Sequence, residues 1–295
     1  NGDADDPAIW INPLDLNNSI IFGTDKYNGI YAYNLNAEKL SFINAGNINN
    51  IDLRPASYDK NNITLFYGSN RSNNTLDLWV LNNKDLNTQI KASALNIPIN
   101  PSYSGDANMI VYGVCAGYHP YFGDIAFITE DMGSKVQLWG FKNKSLSLIH
   151  EFKNADAAQS EGCVYDDENQ TLFISEEQDR GILRAYKITN DLNMSDVTII
   201  DTRDGYIVGD PEGVTIYKTS NHEGYLILSS QGDSKFNLYD RKYPYDYIDS
   251  FSIKNNGDID EVTDTDGVDV THLNLGPKYP LGLMVVQDGN NSVKN

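Results

Sequence analysis

The chain has 295 residues, 40% of them apolar, with 22 Lys and Arg against 41 Asp and Glu, giving a formal charge of −19 and a pI near 4.4. Such a charge repels phosphate backbones and excludes nucleic acid as a partner, and no run approaches the ~18 apolar residues of a membrane span. The length suits two ordinary domains or one large all-β domain, and with no linker-like stretch in the middle the chain reads as a single domain over residues 1–295.

The chain opens on Asp3-Ala4-Asp5-Asp6-Pro7. Carboxylates this close repel by roughly 1 kcal/mol per pair even in water, so a fold that gathers them supplies a cation, and calcium is the natural candidate. The apolar Ala8-Ile9-Trp10-Ile11 run predicts a strand that fixes the acidic end in place. With Asn1 rather than Met at the start, any signal peptide is read as removed or left out, which with the lack of a membrane span suits a secreted or periplasmic protein. Cys115 and Cys163 fit either a bridge in an oxidising compartment or two buried thiols.

From there one pattern recurs: a short apolar strand ending in Thr, Ser or Gln, polar turn residues, then an alternating strand carrying an aromatic. The copies are Ile20-Ile21-Phe22-Gly23-Thr24, Leu65-Phe66-Tyr67-Gly68-Ser69, Ile125-Ala126-Phe127-Ile128-Thr129, Leu172-Phe173-Ile174-Ser175, Leu226-Ile227-Leu228-Ser229-Ser230 and Leu283-Met284-Val285-Val286-Gln287. They fall at intervals of roughly 45 to 60 residues with Asn, Asp and Gly in the turns, which predicts an all-β, six-bladed β-propeller, one blade per copy. A tandem of small β domains is the main competitor, and no boundary interrupts the series to favour it. In a propeller, equivalent positions form a ring at one end of the central channel. The residue after each apolar strand is Asp25, Asn70, Glu130, Glu176, Gln231 or Asp288. Glu and Gln are poor turn residues, so a functional ring of oxygen donors is expected there. Lys26, Arg71, Asp131 and Glu177 come next.

These residues resemble the β-propeller phytases, the alkaline, calcium-dependent family. The resemblance runs from Asp3-Ala4-Asp5-Asp6-Pro7-Ala8-Ile9-Trp10 through Asn49-Asn50-Ile51-Asp52-Leu53-Arg54, Ser69-Asn70-Arg71-Ser72 and Val111-Tyr112-Gly113. It continues through Glu161-Gly162-Cys163-Val164-Tyr165-Asp166-Asp167, Ile174-Ser175-Glu176-Glu177, Asp210-Pro211-Glu212-Gly213 and Ser229-Ser230-Gln231-Gly232 to Asp264-Thr265-Asp266-Gly267-Val268-Asp269 and Gln287-Asp288-Gly289. It implies hydrolysis of phytate, myo-inositol hexakisphosphate, by a monomer that takes the substrate as its calcium complex, with several catalytic and structural Ca2+ ions. By motif, Asp6, Glu161, Glu177, Asp210 and Glu212 would bridge the metals, with Asp5, Asn49, Asp52 and Gln231 nearby. Tyr112, Lys26 and Arg71 would bind phosphate, and Asp260, Asp266 and Asp288 would hold the ions that stabilise the fold. Two departures stand out. The family's Lys-Glu pair after the third apolar strand is absent from Glu130-Asp131-Met132-Gly133, leaving Lys135 as the substitute phosphate contact. The chain also ends at Asn295, before the family's last strand, as if trimmed at its ends.

A phosphate ester needs a nucleophile, neutralised oxygens and help for the leaving alkoxide. There is no Arg-His-Gly motif for a phosphohistidine and no Cys-x5-Arg loop, which leaves water, activated between hard cations held by clustered carboxylates. Glu161, Asp210 and Glu212 are the expected bridging and catalytic carboxylates, with Tyr112 as a hydroxyl donor; Asp210 and Glu212 alternate, so in an extended segment they share a face. Glu176 and Glu177 are adjacent in a strand and face opposite ways, so one of them ligates. On so acidic a chain a cation is by default a surface salt bridge, and only their placement at the ring makes Lys26 and Arg71 phosphate contacts. Asp258, Asp260, Glu261, Asp264, Asp266 and Asp269 suggest a loop around one or two structural calcium ions. The four histidines lack ligand spacing, which disfavours zinc. The competing functions are a calcium-dependent propeller lactonase or esterase, which needs no Lys26 and Arg71, and a catalytically silent propeller that captures phosphorylated ligands.

Overall fold

The computed structural model describes residues 3–178, 180–257 and 259–289. Runs of alternating or fully apolar residues, broken by Asn, Asp and Gly turns, form antiparallel four-stranded sheets in chain order. The first blade is β1 (Ala4–Trp10), β2 (Ile20–Asp25), β3 (Gly29–Asn34) and β4 (Lys39–Ile43). The second is β5 (Ile48–Tyr58), β6 (Asn61–Asn70), β7 (Thr75–Asn82) and β8 (Tyr103–Asp106). The third is β9 (Val111–His119), β10 (Gly123–Glu130), β11 (Lys135–Lys142) and β12 (Ser145–Lys153). β13 (Ser160–Asp166), β14 (Thr171–Glu176), β15 (Ile182–Lys187) and β16 (Val197–Thr202) make the fourth. The fifth has β17 (Pro211–Ser220), β18 (Glu223–Ser230), β19 (Lys235–Asp240) and β20 (Tyr247–Phe251), and a two-stranded sheet of β21 (Val268–Thr271) and β22 (Leu283–Val286) follows.

The expectation of six blades is corrected: there are five four-stranded blades, and the sixth apolar copy forms only the pair β21–β22 among the described residues. The stretch between β20 and β21 is rich in Asp, Asn and Gly with little apolar alternation, and it carries only an isolated bridge, Asn256 to Ile259. The pair still closes the ring, because β21 packs between β17 and β1 while β1, β5, β9, β13 and β17 follow one another around the channel. Apolar side chains fill the seams from the first blade round to the two-stranded sheet, as with Trp10, Phe22, Phe66 and Trp79 between the first two. Helix α1 (Asn83–Lys91), absent from the sequence reading, sits between β7 and β8, capped by the Asn82 side chain accepting from the amides of Lys84 and Asp85. Of the two readings of the cysteines, the bridge is the one formed: Cys115 of β9 joins Cys163 of β13 with their Cα atoms 5.6 Å apart.

The Ser or Thr that ends each apolar copy has a structural cause. In every blade two residues of the inner strand bulge opposite that one hydroxyl residue: Asp5-Asp6 opposite Thr24, Asn49-Asn50 opposite Ser69, Tyr112-Gly113 opposite Thr129, Glu161-Gly162 opposite Ser175 and Glu212-Gly213 opposite Ser229. In the second, third and fourth blades the hydroxyl of Ser69, Thr129 or Ser175 rivets its own bulge to the next blade's inner strand, whereas Thr24 bonds within its own bulge and Ser229 reaches Thr265 ahead of β21. Thr129 Oγ1 accepts from the Gly113 amide at 2.9 Å and donates to the Ser160 carbonyl at 2.5 Å, and Ser175 Oγ reaches the carbonyls of Gly162 (3.1 Å) and Glu212 (2.6 Å). The bulged glycines permit this approach, since a Cβ on Gly162 would lie 2.1 Å from the Glu212 carbonyl oxygen. We expect Ser175→Ala to lower stability by about 1–2 kcal/mol, and Gly162→Ala by more, in thermal melts of the calcium-free protein. An unmoved melting point for Ser175→Ala would remove the hydroxyls from this account.

Candidate functional site

The five bulges and the matching turn before β21 place one side chain each at a common mouth of the channel: Asp5, Asn49, Tyr112, Glu161, Glu212 and Asp266. In the sixth position Gln287 replaces the hydroxyl residue, its Oε1 accepting from the Asp266 amide at 2.8 Å and its own amide donating to the Gly267 carbonyl at 3.0 Å. The side chains gathered at this mouth therefore come from the inner strands and not chiefly from the positions after each second strand, although Gln231 reaches Asp266 there. Most of those residues secure turns or seams instead. Asp25 accepts from the Tyr27 amide and Asn28, Asn70 donates to the Ala45 carbonyl and Asp77, and Glu130 accepts from the Lys135 amide. Glu176 lies 3.7 Å from the buried Arg184, Gln231 donates to Asp266 at 2.5 Å, and Asp288 accepts from the Thr263 amide at 3.0 Å.

Glu161, Glu177 and Glu212 are buried, and each offers a carboxylate oxygen, all within 4.8 Å of one another. Glu177 enters from the turn after β14, its amide held by the Gln159 carbonyl at 3.0 Å. Asn49 Nδ2 donates to Glu161 at 2.7 Å, and Gln159 Nε2 donates to Glu177 at 2.8 Å and reaches the Tyr112 hydroxyl at 3.2 Å. Lys26 stands 3.2 Å from Asp5 and 3.9 Å from Asp266, so Asp266 belongs to this mouth as well as to the acidic loop. Arg71 lies over the Tyr112 ring, 5.6 Å from its centroid. It donates to Asn49 at 3.1 Å and to Asp131 at 2.6 Å.

Burial disfavours the negative charge on several of these carboxylates. Burial, reinforced by Glu161, lifts Glu177 to about 9 and raises Asp5 and Glu212 well above the carboxylate range. Asp6 is raised well too, by burial. Burial and the neighbouring Glu161 keep the Tyr112 phenol protonated. For Lys26, burial opposes the charge, but Asp5, Glu161 and Asp266 outweigh it and hold the ammonium protonated. Beneath the ring is a cavity of about 60 Å³ whose lining includes Asp6, Asn50, Asp52 and Asp269. There the carboxylates also tie inner strands together, Asp6 to the Ile51 amide, Asp52 to Ala116 and Asp269 to Ile9, at 3.0, 2.7 and 2.8 Å.

The other candidates are not members of the buried trio. Asp210 precedes β17, half-exposed, and its carboxylate pairs with Arg203, which also donates to the carbonyls of Glu177 and Gly209. Lys135 turns its ammonium toward Glu151 on β12, 3.8 Å away. Asp260 sits in the segment before β21, and Asp258 lies outside the described residues. Gln159 and Arg203 were not found by sequence reasoning, since isolated Gln and Arg residues carry no motif.

The donor set suits a hard cation: it is all oxygen, and Asp5 Oδ2, Glu177 Oε1 and Glu212 Oε2 are buried without a hydrogen-bond partner among the described residues. Uncompensated carboxylates at this spacing are costly, and divalent ions are the usual remedy.

Comparison with known proteins fits this arrangement. The family model described as Phytase matches residues 1–295. The chain is 31% identical over 299 residues to a 3-phytase of Bacillus subtilis (strain 168), covering 98% of this chain and 75% of that protein. Among solved structures, an auxiliary nutrient binding protein from Bacteroides thetaiotaomicron VPI-5482 superposes with a TM-score of 0.56 at 10% identity, over 96% of this chain and 68% of that one. A chain of a nidogen/laminin complex gives 0.54 at 11% identity, over 85% and 81%. At such identities the last two share the fold alone.

Proposed function

The chain belongs to the phytase family, and from that premise we propose that it hydrolyses phytate with calcium as its metal, held by Glu161, Glu177 and Glu212 with Asp5, Asp210 and Asp266 around them. It is a phosphomonoesterase of the 3-phytase kind, releasing phosphate and lower inositol phosphates. The observation that carries the calcium reading is the trio of buried carboxylates, with orphaned oxygens on Glu177, Glu212 and the neighbouring Asp5, faced by Lys26 and Arg71 at one mouth. Divalent ions bound there would offset phosphate charge and lower the pKa of water.

The chain's own groups do the rest. Arg71 and Lys26 receive non-bridging phosphate oxygens, with Arg71 able to present two N–H groups at once. Tyr112, kept protonated by burial and with its hydroxyl beside Gln159, donates to phosphate and orients it against the carboxylates. Gln159 and Asn49 fix the rotamers of Glu177 and Glu161. Arg203 holds Asp210 and the backbone of Glu177 in register. Asp6, Asp52 and Asp269 face the cavity below, and Asp288 and Asp260 flank the acidic loop, where further calcium would stabilise the closure beside β21. One chain supplies the whole ring, so the reading needs no second subunit.

Phytate enters as its calcium complex, which reconciles an anionic substrate with a protein of charge −19. The Cys115–Cys163 bridge suits an oxidising compartment, and secretion is the matching location; no described helix is long and apolar enough to cross a membrane. The test is phosphate release from phytate after chelation with EGTA and again after calcium is restored. Loss and recovery are expected, and full activity in the chelator would overturn the calcium reading.

A further inference from the structure

Arg71 is the exposed cation of the mouth, yet its guanidinium is engaged on both sides. Nη1 donates to Asn49 at 3.1 Å and Nη2 to the Asp131 carboxylate at 2.6 Å. Asp131 is not a loose surface acid: its amide donates to the Ile110 carbonyl at 2.9 Å, and its side chain is 14% exposed against 36% for Arg71. Among the described residues Arg71 is its one ion-pair partner, because Lys135 is turned away to Glu151. A carboxylate oxygen and a phosphate oxygen make the same demand on a guanidinium N–H.

We propose that Asp131 is a substrate-affinity determinant: its carboxylate occupies the N–H of Arg71 that a substrate phosphate would take, so each incoming ester must displace an internal anion. This deepens the phytase reading and rests on it. Displacement leaves the Asp131 carboxylate beside the phosphate without its cation, and the two like charges repel. Affinity is held down by that contest, and chemistry at the carboxylate trio is untouched by it. Phosphate groups that arrive with a divalent counter-ion meet less of this repulsion than naked ones.

The test compares the wild-type protein with Asp131→Asn, which keeps the size and an acceptor oxygen but removes the charge, and with Asp131→Ser as a second variant. In saturating calcium, KM for phytate should fall about three- to fivefold, the scale of an exposed ion pair, with kcat unchanged. Equilibrium dialysis of orthophosphate should show tighter binding by a similar factor, and the difference should shrink in high salt as screening weakens both contests. A raised KM in both variants would make Asp131 a residue that positions Arg71, a raised calcium requirement would make it a metal ligand, and unchanged KM and dialysis would make the pair inert. Each of these overturns the proposal. If the wild-type protein released no phosphate from phytate, the functional reading would fall, while dialysis would still decide the competition for Arg71.

Discussion

Glu212→Gln should reduce phosphate release from phytate by at least 10²–10³-fold, on the order of losing one preorganised charge-stabilising group, while making the calcium-free protein more resistant to heat. The two effects have one cause. Glu212 is buried, its Oε2 has no hydrogen-bond partner among the described residues, and it faces Glu161 and Glu177 within 4.8 Å. Without a cation the site must either crowd these charges together or hold protons that the unfolded chain would release, and both disfavour the fold. A neutral amide of the same shape removes one repelling partner and can donate to Glu161 or Glu177. With the charge gone, the site also loses a ligand, so calcium should raise the melting point of Glu212→Gln less than that of the wild type. The check is phosphate release alongside differential scanning calorimetry with calcium and with EGTA. A variant that is inactive and less stable in EGTA would show that Glu212 serves packing, and would separate the trio from metal binding.

Much of this mouth was legible in the sequence, and what was illegible has a physical reason. The recurrent apolar strand with its terminal Thr, Ser or Gln marks the blades, and the acidic motifs at Asp5, Glu161 and Glu212 lie where the bulges put them. A bulge, however, leaves no clear trace in an alternating pattern. The alternating pattern alone therefore points to Asp25, Asn70 and Glu130, whose side chains bond locally to turns and seams. The two-stranded sixth sheet departs from the pattern for a related reason. Leu283–Val286 looks like any other apolar copy, and nothing in those four residues tells how many strands pair beside them. Asp210 and Glu212 were expected on one face by alternation, but the bulge between Pro211 and Val214 breaks that register and leaves Asp210 to Arg203. Gln159 is invisible for a different reason: its role depends on a contact to Tyr112, 47 positions away in the chain.

The stabilising effect of calcium should grow steeply with pH. Glu177 is held at about 9, first by burial and then by Glu161, while Asp5, Asp6 and Glu212 are also raised well above the carboxylate range. These are acids whose folded pKa exceeds the unfolded value, so the calcium-free fold binds more protons than the unfolded chain at intermediate pH. Its stability therefore falls as pH rises from the ordinary carboxylate range toward 9. Calcium takes the place of those protons and binds the deprotonated ligands, so its affinity rises over the same window. The opposite case lies outside that window: Asp166 and Glu168 resist burial, Asp166 chiefly through Arg241 and Glu168, at about 2, through the His222 amide, Lys218 and Arg241. What they contribute is present above the ordinary carboxylate range and lost only in acid, so it adds no slope at neutral pH. Calorimetry at pH 5, 7 and 9, with calcium and with EGTA, should show the gap in melting temperature widening at each step. A single pKa unit expressed as stability is about 1.4 kcal/mol, or about 3 °C for a domain of this size, and several groups act together here. A gap that stays constant across that range would mean that the buried carboxylates are charged and compensated without the ion, and the acidic mouth would lose its role as a metal cage.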